Sequence, residues 1–295
     1  MKKTLLVLCL AFSCVALNAQ STTEEREMGT TTKSGQKILP QAGDMAIGID
    51  ATGFLEYLGN SFNNTSDNSA KNIFSYDDNV FGANSIYGKY FLTDNTAIRV
   101  KLHIGIDSYT DKQLVKDDKS SDPYATVEDS RKISNTGIGF RVGYEMRRGY
   151  GRLQGFYGAE VGFGVTSSGS ETYKYGNGIS VDDGGASYYD FNLDKEVFSD
   201  SRTLKRSHGS TVQGLVGGFA GVEYFIAPKL SVGGEFGLGL RFASQGKGKY
   251  ETEFIETSAS SGNQSVTTRE TESGGSSSFE FKANYSAALT VAFHF

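Results

Sequence analysis

The sequence predicts an all-β chain that closes as an eight-stranded antiparallel up-and-down transmembrane β-barrel, and three observations predict it. Segments of about ten residues alternate apolar and polar side chains, and an extended strand sends alternate side chains to opposite faces. In several segments the polar face carries charge: Arg99, Lys101 and His103 interleave with Ile98, Val100, Leu102 and Ile104. Neither lipid nor a dry protein core accepts such a face, whereas a polar lumen does. Finally, long polar stretches and short turns alternate between the segments, the asymmetry expected when loops emerge on one side of a membrane and turns on the other.

Composition agrees. The chain holds 37 glycines and 12 % aromatic residues but only 3 prolines, which suits an all-β fold with bulky belts and tight crossings. A mean hydropathy of −0.34 would suit a water-soluble protein, but a barrel dilutes its lipid face with lumen and loops. No run of the chain approaches the roughly twenty apolar residues of a membrane helix. A net charge of −5 excludes a nucleic-acid partner held by charge.

Residues 1–19 read as a secretory signal peptide, with Lys2 and Lys3 ahead of an apolar run and Ala19 before the cut. Ala11 and Phe12 do not suit a lipidation site at Cys14. The 2 cysteines, Cys9 and Cys14, lie inside the signal, so the exported protein is expected to carry no thiol, disulfide or Cys-bound metal. Residues 20–43 are polar and aperiodic and read as a flexible periplasmic tail. Residues 44–295 are the barrel.

The first strand sets Met45, Ile47 and Ile49 against Asp44, Gly48 and Asp50. The segment Gly53 to Asn60 reads as more strand or an interfacial turn, and a polar loop runs on to about Asn84. The second strand covers Ser85 to Leu92 and turns at Thr93-Asp94-Asn95. The third carries the Ile98 to Ile106 alternation, followed by an acidic loop from Thr110 to Ser130. The fourth opposes Ile138, Phe140, Val142, Tyr144 and Met146 to Arg141, Glu145 and Arg147. The fifth spans Leu153 to Val165 with Glu160 inside, and a long loop reaches about Arg206. The sixth is ambiguous, because Leu215 and Phe219 share parity with Gln213 and Glu223. The seventh opposes Leu230, Val232, Phe236, Leu238, Leu240 and Phe242 to Glu235 and Arg241, and a Ser/Gly-rich loop covers about Ala243 to Ser277. The eighth, Phe279 to Phe295, places apolar residues at odd positions and Glu280, Lys282, Asn284 and His294 at even ones.

The ending Phe293-x-Phe295 resembles the C-terminal assembly signal of outer-membrane barrels, and the chain from about residue 38 onward resembles small OmpA/OmpX-like barrel proteins of the kind common in Bacteroidetes. The resemblance implies an outer-membrane location, lipid and the barrel-assembly machinery as partners, and Phe293 and Phe295 as the residues that machinery reads. It implies no cell-wall anchoring, since no further domain follows Phe295.

The expected site is the lumen set Lys89, Arg99, Lys101, His103, Arg141, Glu145, Arg147, Glu160, Glu223, Glu235, Arg241, Glu280 and Lys282. An eight-stranded barrel is just wide enough for side chains to fill it, and buried charges of both signs must compensate one another. The expectation is therefore a charge-paired plug in a non-enzymatic barrel whose long loops meet an extracellular or membrane partner. A narrow porin-like conduit for small or hydrophobic solutes is the alternative. His208 with Ser207 or Ser210 carries no catalytic assignment, because serine and acid abound in these loops by composition. The pairs Asp117-Asp118 and Asp182-Asp183 lack the spacing of a calcium loop, and no cofactor or metal is expected. Gly137-Ile138-Gly139 and Gly237-Leu238-Gly239 sit inside strands, where they permit curvature and close packing rather than phosphate binding.

Overall fold

The computed structural model describes residues 31–33, 35–50, 76–82 and 86–295, with side chains for all of these but 168 and 282–287. The predicted signal peptide and the Gly53 to Asn60 segment lie outside the described residues. Eight strands form the ring: β1 (Met45–Asp50), β2 (Ile86–Thr93), β3 (Thr96–Lys116), β4 (Thr126–Tyr150), β5 (Leu153–Lys174), β9 (Ser210–Ala227), β10 (Leu230–Gln245) and β13 (Ser276–His294). Each is antiparallel to the next, and β1 pairs with β13 through Ala46↔His294 to Asp50↔Thr290, closing an up-and-down barrel. Reciprocal bonds of 2.8 Å between Met45 and Phe295 finish the seam.

Burial is inverted relative to a water-soluble domain. On β3, Arg99 is 1 % exposed while its neighbour Ile98 is 40 % exposed, and on β13 Phe281 is 64 % exposed. Ile47, Phe140, Val161, Val216 and Phe236 continue this outward apolar belt around the ring. The ambiguous sixth strand, β9, resolves with Leu215, Phe219, Gln213 and Glu223 all inside.

Five shorter strands lie outside the ring: β6 (Ala186–Asp190), β7 (Lys195–Ser199), β8 (Ser201–Ser207), β11 (Lys249–Thr257) and β12 (Gln264–Glu272). They correct the expected loops. The stretch from Thr110 to Ser130 is mostly ladder, with β3 and β4 paired out to Lys116↔Thr126. The stretch after Val165 holds the end of β5, a β6–β7 hairpin and β8, and the Ser/Gly-rich stretch holds the β11–β12 hairpin. β8, β11 and β12 extend the sheet sideways from β5 in the order β5-β8-β11-β12. No apolar alternation announced these strands, because the few side chains they bury, such as Arg202, are largely polar or aromatic and β12 buries none. β12 is exposed at every position but Thr267, and a strand without a buried face needs no apolar period.

The described part of the predicted tail packs against the barrel. Thr31 bridges Lys37, Ile38 is fully buried, and the Ala42 N–H donates to Asp94 at 2.9 Å. This strap lies under the turn end of the barrel, tied by a 2.8 Å ion pair between Lys229 and Asp44.

Candidate functional site: the charged barrel interior

The interior is stacked in three layers. At the turn end Phe91, Phe225 and His294 form the floor, with the His294 ring 5.1 Å from that of Phe225 and 5.8 Å from that of Phe91. The Arg147 guanidinium lies 5.2 Å from the Phe91 ring centre, so the lowest charge rests on aromatic faces.

The middle layer is one connected charge network. Lys89 pairs with Glu145 at 3.0 Å and faces Glu223 at 3.7 Å. Arg147 bonds Glu223, whose other oxygen accepts from the Ser231 hydroxyl at 2.6 Å. Arg99 joins this lower group to the upper one, reaching Glu145 at 3.7 Å, Glu160 at 2.9 Å and Glu235 at 2.7 Å. Lys101 adds a 2.5 Å bond to Glu235, and Arg141 a 2.9 Å bond to Glu160. The Phe219 ring packs 3.5 Å from the Arg99 guanidinium. Strand parity makes this cluster: each charged residue is flanked in sequence by residues of the belt face, so turning the apolar neighbours outward turns the charges in.

Of the residues named from sequence, Lys89, Arg99, Lys101, Arg141, Glu145, Arg147, Glu160, Glu223 and Glu235 meet in this network. His103 is buried above it. Arg241 and Glu280 correct the expectation of one deep cluster. They pair with each other at 2.8 Å nearer the loop end, the Glu280 side chain 39 % exposed, because β10 and β13 have risen toward the rim by that point. The Lys282 side chain lies outside the described residues. Phe293 and Phe295 stand outward, rings 6.3 Å apart. Asp50 was missed. It is buried on the inner face of β1 and brings the buried carboxylates Asp50, Glu145, Glu160, Glu223 and Glu235 level with Lys89, Arg99, Lys101, Arg141 and Arg147. Its parity with Gly48 was the available signal.

The top layer was not foreseen. Residues 76–82 fold down into the mouth, where Val80 and Phe81 pack with Leu215. The Gln213 amide donates to the Asp78 carbonyl at 2.8 Å, and Arg141 to the Gly82 carbonyl at 3.3 Å. Glycines make the room: a Cβ at Gly139 would lie 2.4 Å from the Val80 carbonyl oxygen, and one at Gly164 would lie 2.3 Å from a Val80 methyl. The close packing expected of the Gly137-Ile138-Gly139 stretch thus serves an inserted loop.

Above the mouth the outer sheet has a core of its own. Asp129, fully buried, accepts the N–H groups of Gly176 and Tyr189, both at 2.8 Å. Arg202 bonds Glu253 at 2.8 Å and lies 4.4 Å from the Tyr175 ring centre. Burial, followed by the bond to Glu171, pushes the Tyr173 phenol up to about 12. The His208 carbonyl accepts from the Gln245 side-chain amide at 2.8 Å. Among the described residues no three His, Cys, Asp or Glu side chains converge on a metal-sized site.

Fold and interior together define a closed, charge-filled antiparallel β-barrel carrying an external sheet. The chain matches no family model, no curated protein and no solved structure.

Proposed function

We propose that the protein is a non-enzymatic outer-membrane barrel that holds a rigid recognition sheet above the membrane for an extracellular or neighbouring membrane partner. The apolar belt supports the location, because exposed aliphatic and aromatic side chains around a whole barrel suit lipid and not water. Phe293 and Phe295 are then the residues read by the assembly machinery.

The observation that carries the docking role is the edge of β12, which pairs with β11 alone among the described residues. Ser273 and Ser258 donate across the hairpin, to Gly248 and Asn263, at 2.9 Å. Antiparallel bonding alternates, so in β12 the odd residues bond β11 and the even ones, Gln264, Val266, Thr268, Glu270 and Glu272, aim their backbone groups outward. This edge has no proline, bulge or glycine, devices that proteins use to block strand addition. Its charges are matched within the hairpin, Lys247 to Glu272, Lys249 to Glu270 and Arg269 to Glu256. A partner would be recognised there through its extended backbone.

Thr268→Pro removes one outward donor while sparing the bonds to β11. Cells displaying this variant should lose surface binding of the partner that wild-type cells retain, whereas Ser265→Ala should bind normally. Equal binding by wild type and Thr268→Pro would discard the edge as the docking element.

A further inference from the structure

The geometry points to a lipid site at the turn end, a cleft between the strap and the β9–β10 turn that takes the phosphate headgroup of an anionic phospholipid from the adjoining leaflet. The inference rests on the reading of the belt as lipid-facing. The cleft measures about 610 Å³ and is lined by Gln36, Lys37, Leu39, Pro228, Lys229 and Phe293.

The strap is extended, so its side chains alternate. Ile38 and Pro40 are buried, which turns Lys37, Leu39 and Gln41 toward the cleft. Both walls are held in place. The Lys229 N–H donates to the Ile38 carbonyl at 3.5 Å, and the Gln41 N–H donates to Asp44 at 2.9 Å. Phe293, stacked on Phe295, continues the apolar belt into the cleft from one side. On the other side stand Lys37 and Lys229, the Lys229 ammonium paired with the Asp44 carboxylate and Lys37 exposed.

A cationic, amide-bearing wall meeting an apolar one at the edge of the belt matches a phospholipid: phosphate at the ammonium groups, first methylenes over Leu39 and Phe293. Free phosphate would use only the cationic half. The apolar half is what assigns the site to a lipid.

The test uses the full exported chain, refolded in detergent and offered phosphatidylglycerol, phosphatidylcholine or inorganic phosphate, with bound molecules counted by native mass spectrometry. Lys37→Glu and Lys37→Gln should each lower retained phosphatidylglycerol, the reversal by about fivefold or more, the worth of one lysine near an anionic surface. Leu39→Ala should lower it too. Arg148→Glu, exposed at the same end near the close of β4, should leave it unchanged. Equal loss in Arg148→Glu, no loss in either Lys37 variant, or displacement of the lipid by inorganic phosphate would each overturn the assignment. Membrane fractionation of the wild type is read separately. A protein that stays soluble without detergent refutes the lipid-facing belt itself, whereas a membrane-bound protein with unselective lipid retention refutes only the cleft.

Discussion

Arg99 on β3 grips Glu235 on β10 with both ends of its guanidinium, Nη1 to Oε2 at 2.7 Å and Nη2 to Oε1 at 2.9 Å. The two strands stand opposite each other in the ring, so this fork crosses the full diameter of the barrel. Bidentate pairs of this kind are rigid as well as strong, and here one pair fixes both the spacing and the register of opposite walls.

Breaking that fork should be costly because its partner charges stay buried. Glu235→Gln leaves Arg99 and Lys101 short of a carboxylate, and the folded barrel should lose about 3–5 kcal/mol in denaturant titration. Arg99→Met combined with Glu235→Gln should cost less than the sum of the two single variants, since either one alone already breaks the fork, while Lys101 stays short of its carboxylate. A double variant worse than the sum of the singles would refute the reading.

The same network predicts electrical silence. Wild-type protein in a planar bilayer should show no stable conductance, because Arg99 and Glu235 span the lumen and Val80 and Phe81 close its mouth. A steady wild-type channel would promote the conduit reading.

The inserted loop can be tested through its glycines. Gly164→Ala brings a Cβ against a Val80 methyl and should destabilise the barrel by about 1–3 kcal/mol. Adding Val80→Ala removes that methyl and should restore part of the loss. The remaining neighbour, the Ile138 carbonyl oxygen at 3.1 Å, is tight but tolerable. If Val80→Ala gives no rescue, the loop does not sit in the mouth.

Acid should loosen the strap. Burial pushes the Asp44 carboxyl up, but its bonds to Lys229 and the Gln41 N–H outweigh this and hold it below the ordinary carboxylate range. A carboxylate depressed in the folded state stabilises above its unfolded value of about 4, and that contribution fades as pH falls through the lower folded value. Thermal melting of wild type should therefore decline below about pH 4 more steeply than that of Asp44→Asn. Parallel curves would show that the pair contributes nothing.

Protease added to intact cells should cut at the hairpin tips, around Asn192 to Asp194 and Ser258 to Gly262, and spare β6, β7 and β12. Cuts at the Asn95 or Pro228 turns instead would mean that the barrel is inserted the other way up.

All eight ring strands were legible in the sequence, most because one face is apolar and the other polar; β9 read ambiguously because its inner face mixes Leu215 and Phe219 with Gln213 and Glu223. The charged triplet on β3 identified the lumen by that same contrast of faces. The five outer strands were not legible: β12 is wetted on both sides and imposes no period, and the others bury too few apolar side chains to set one. The descent of Val80 and Phe81 was hidden too: it depends on glycines of β4 and β5, far away in sequence, and a short apolar pair in a polar stretch carries no address. Ile38 escaped for a similar reason, one buried side chain being too little to mark a segment as ordered.

The seam between β1 and β13 has a kinetic consequence. It joins Ala46 to His294, nearly the most distant pairing the chain permits, and contacts so far apart in sequence form slowly. On the proposed reading of the belt as lipid-facing, a chain stopped before β13 would leave β1 and β10 with raw edges whose backbone groups lipid cannot saturate. Closure therefore acts as a completeness check: no truncated product can imitate the finished barrel, and each should stay open to proteolysis until it is cleared.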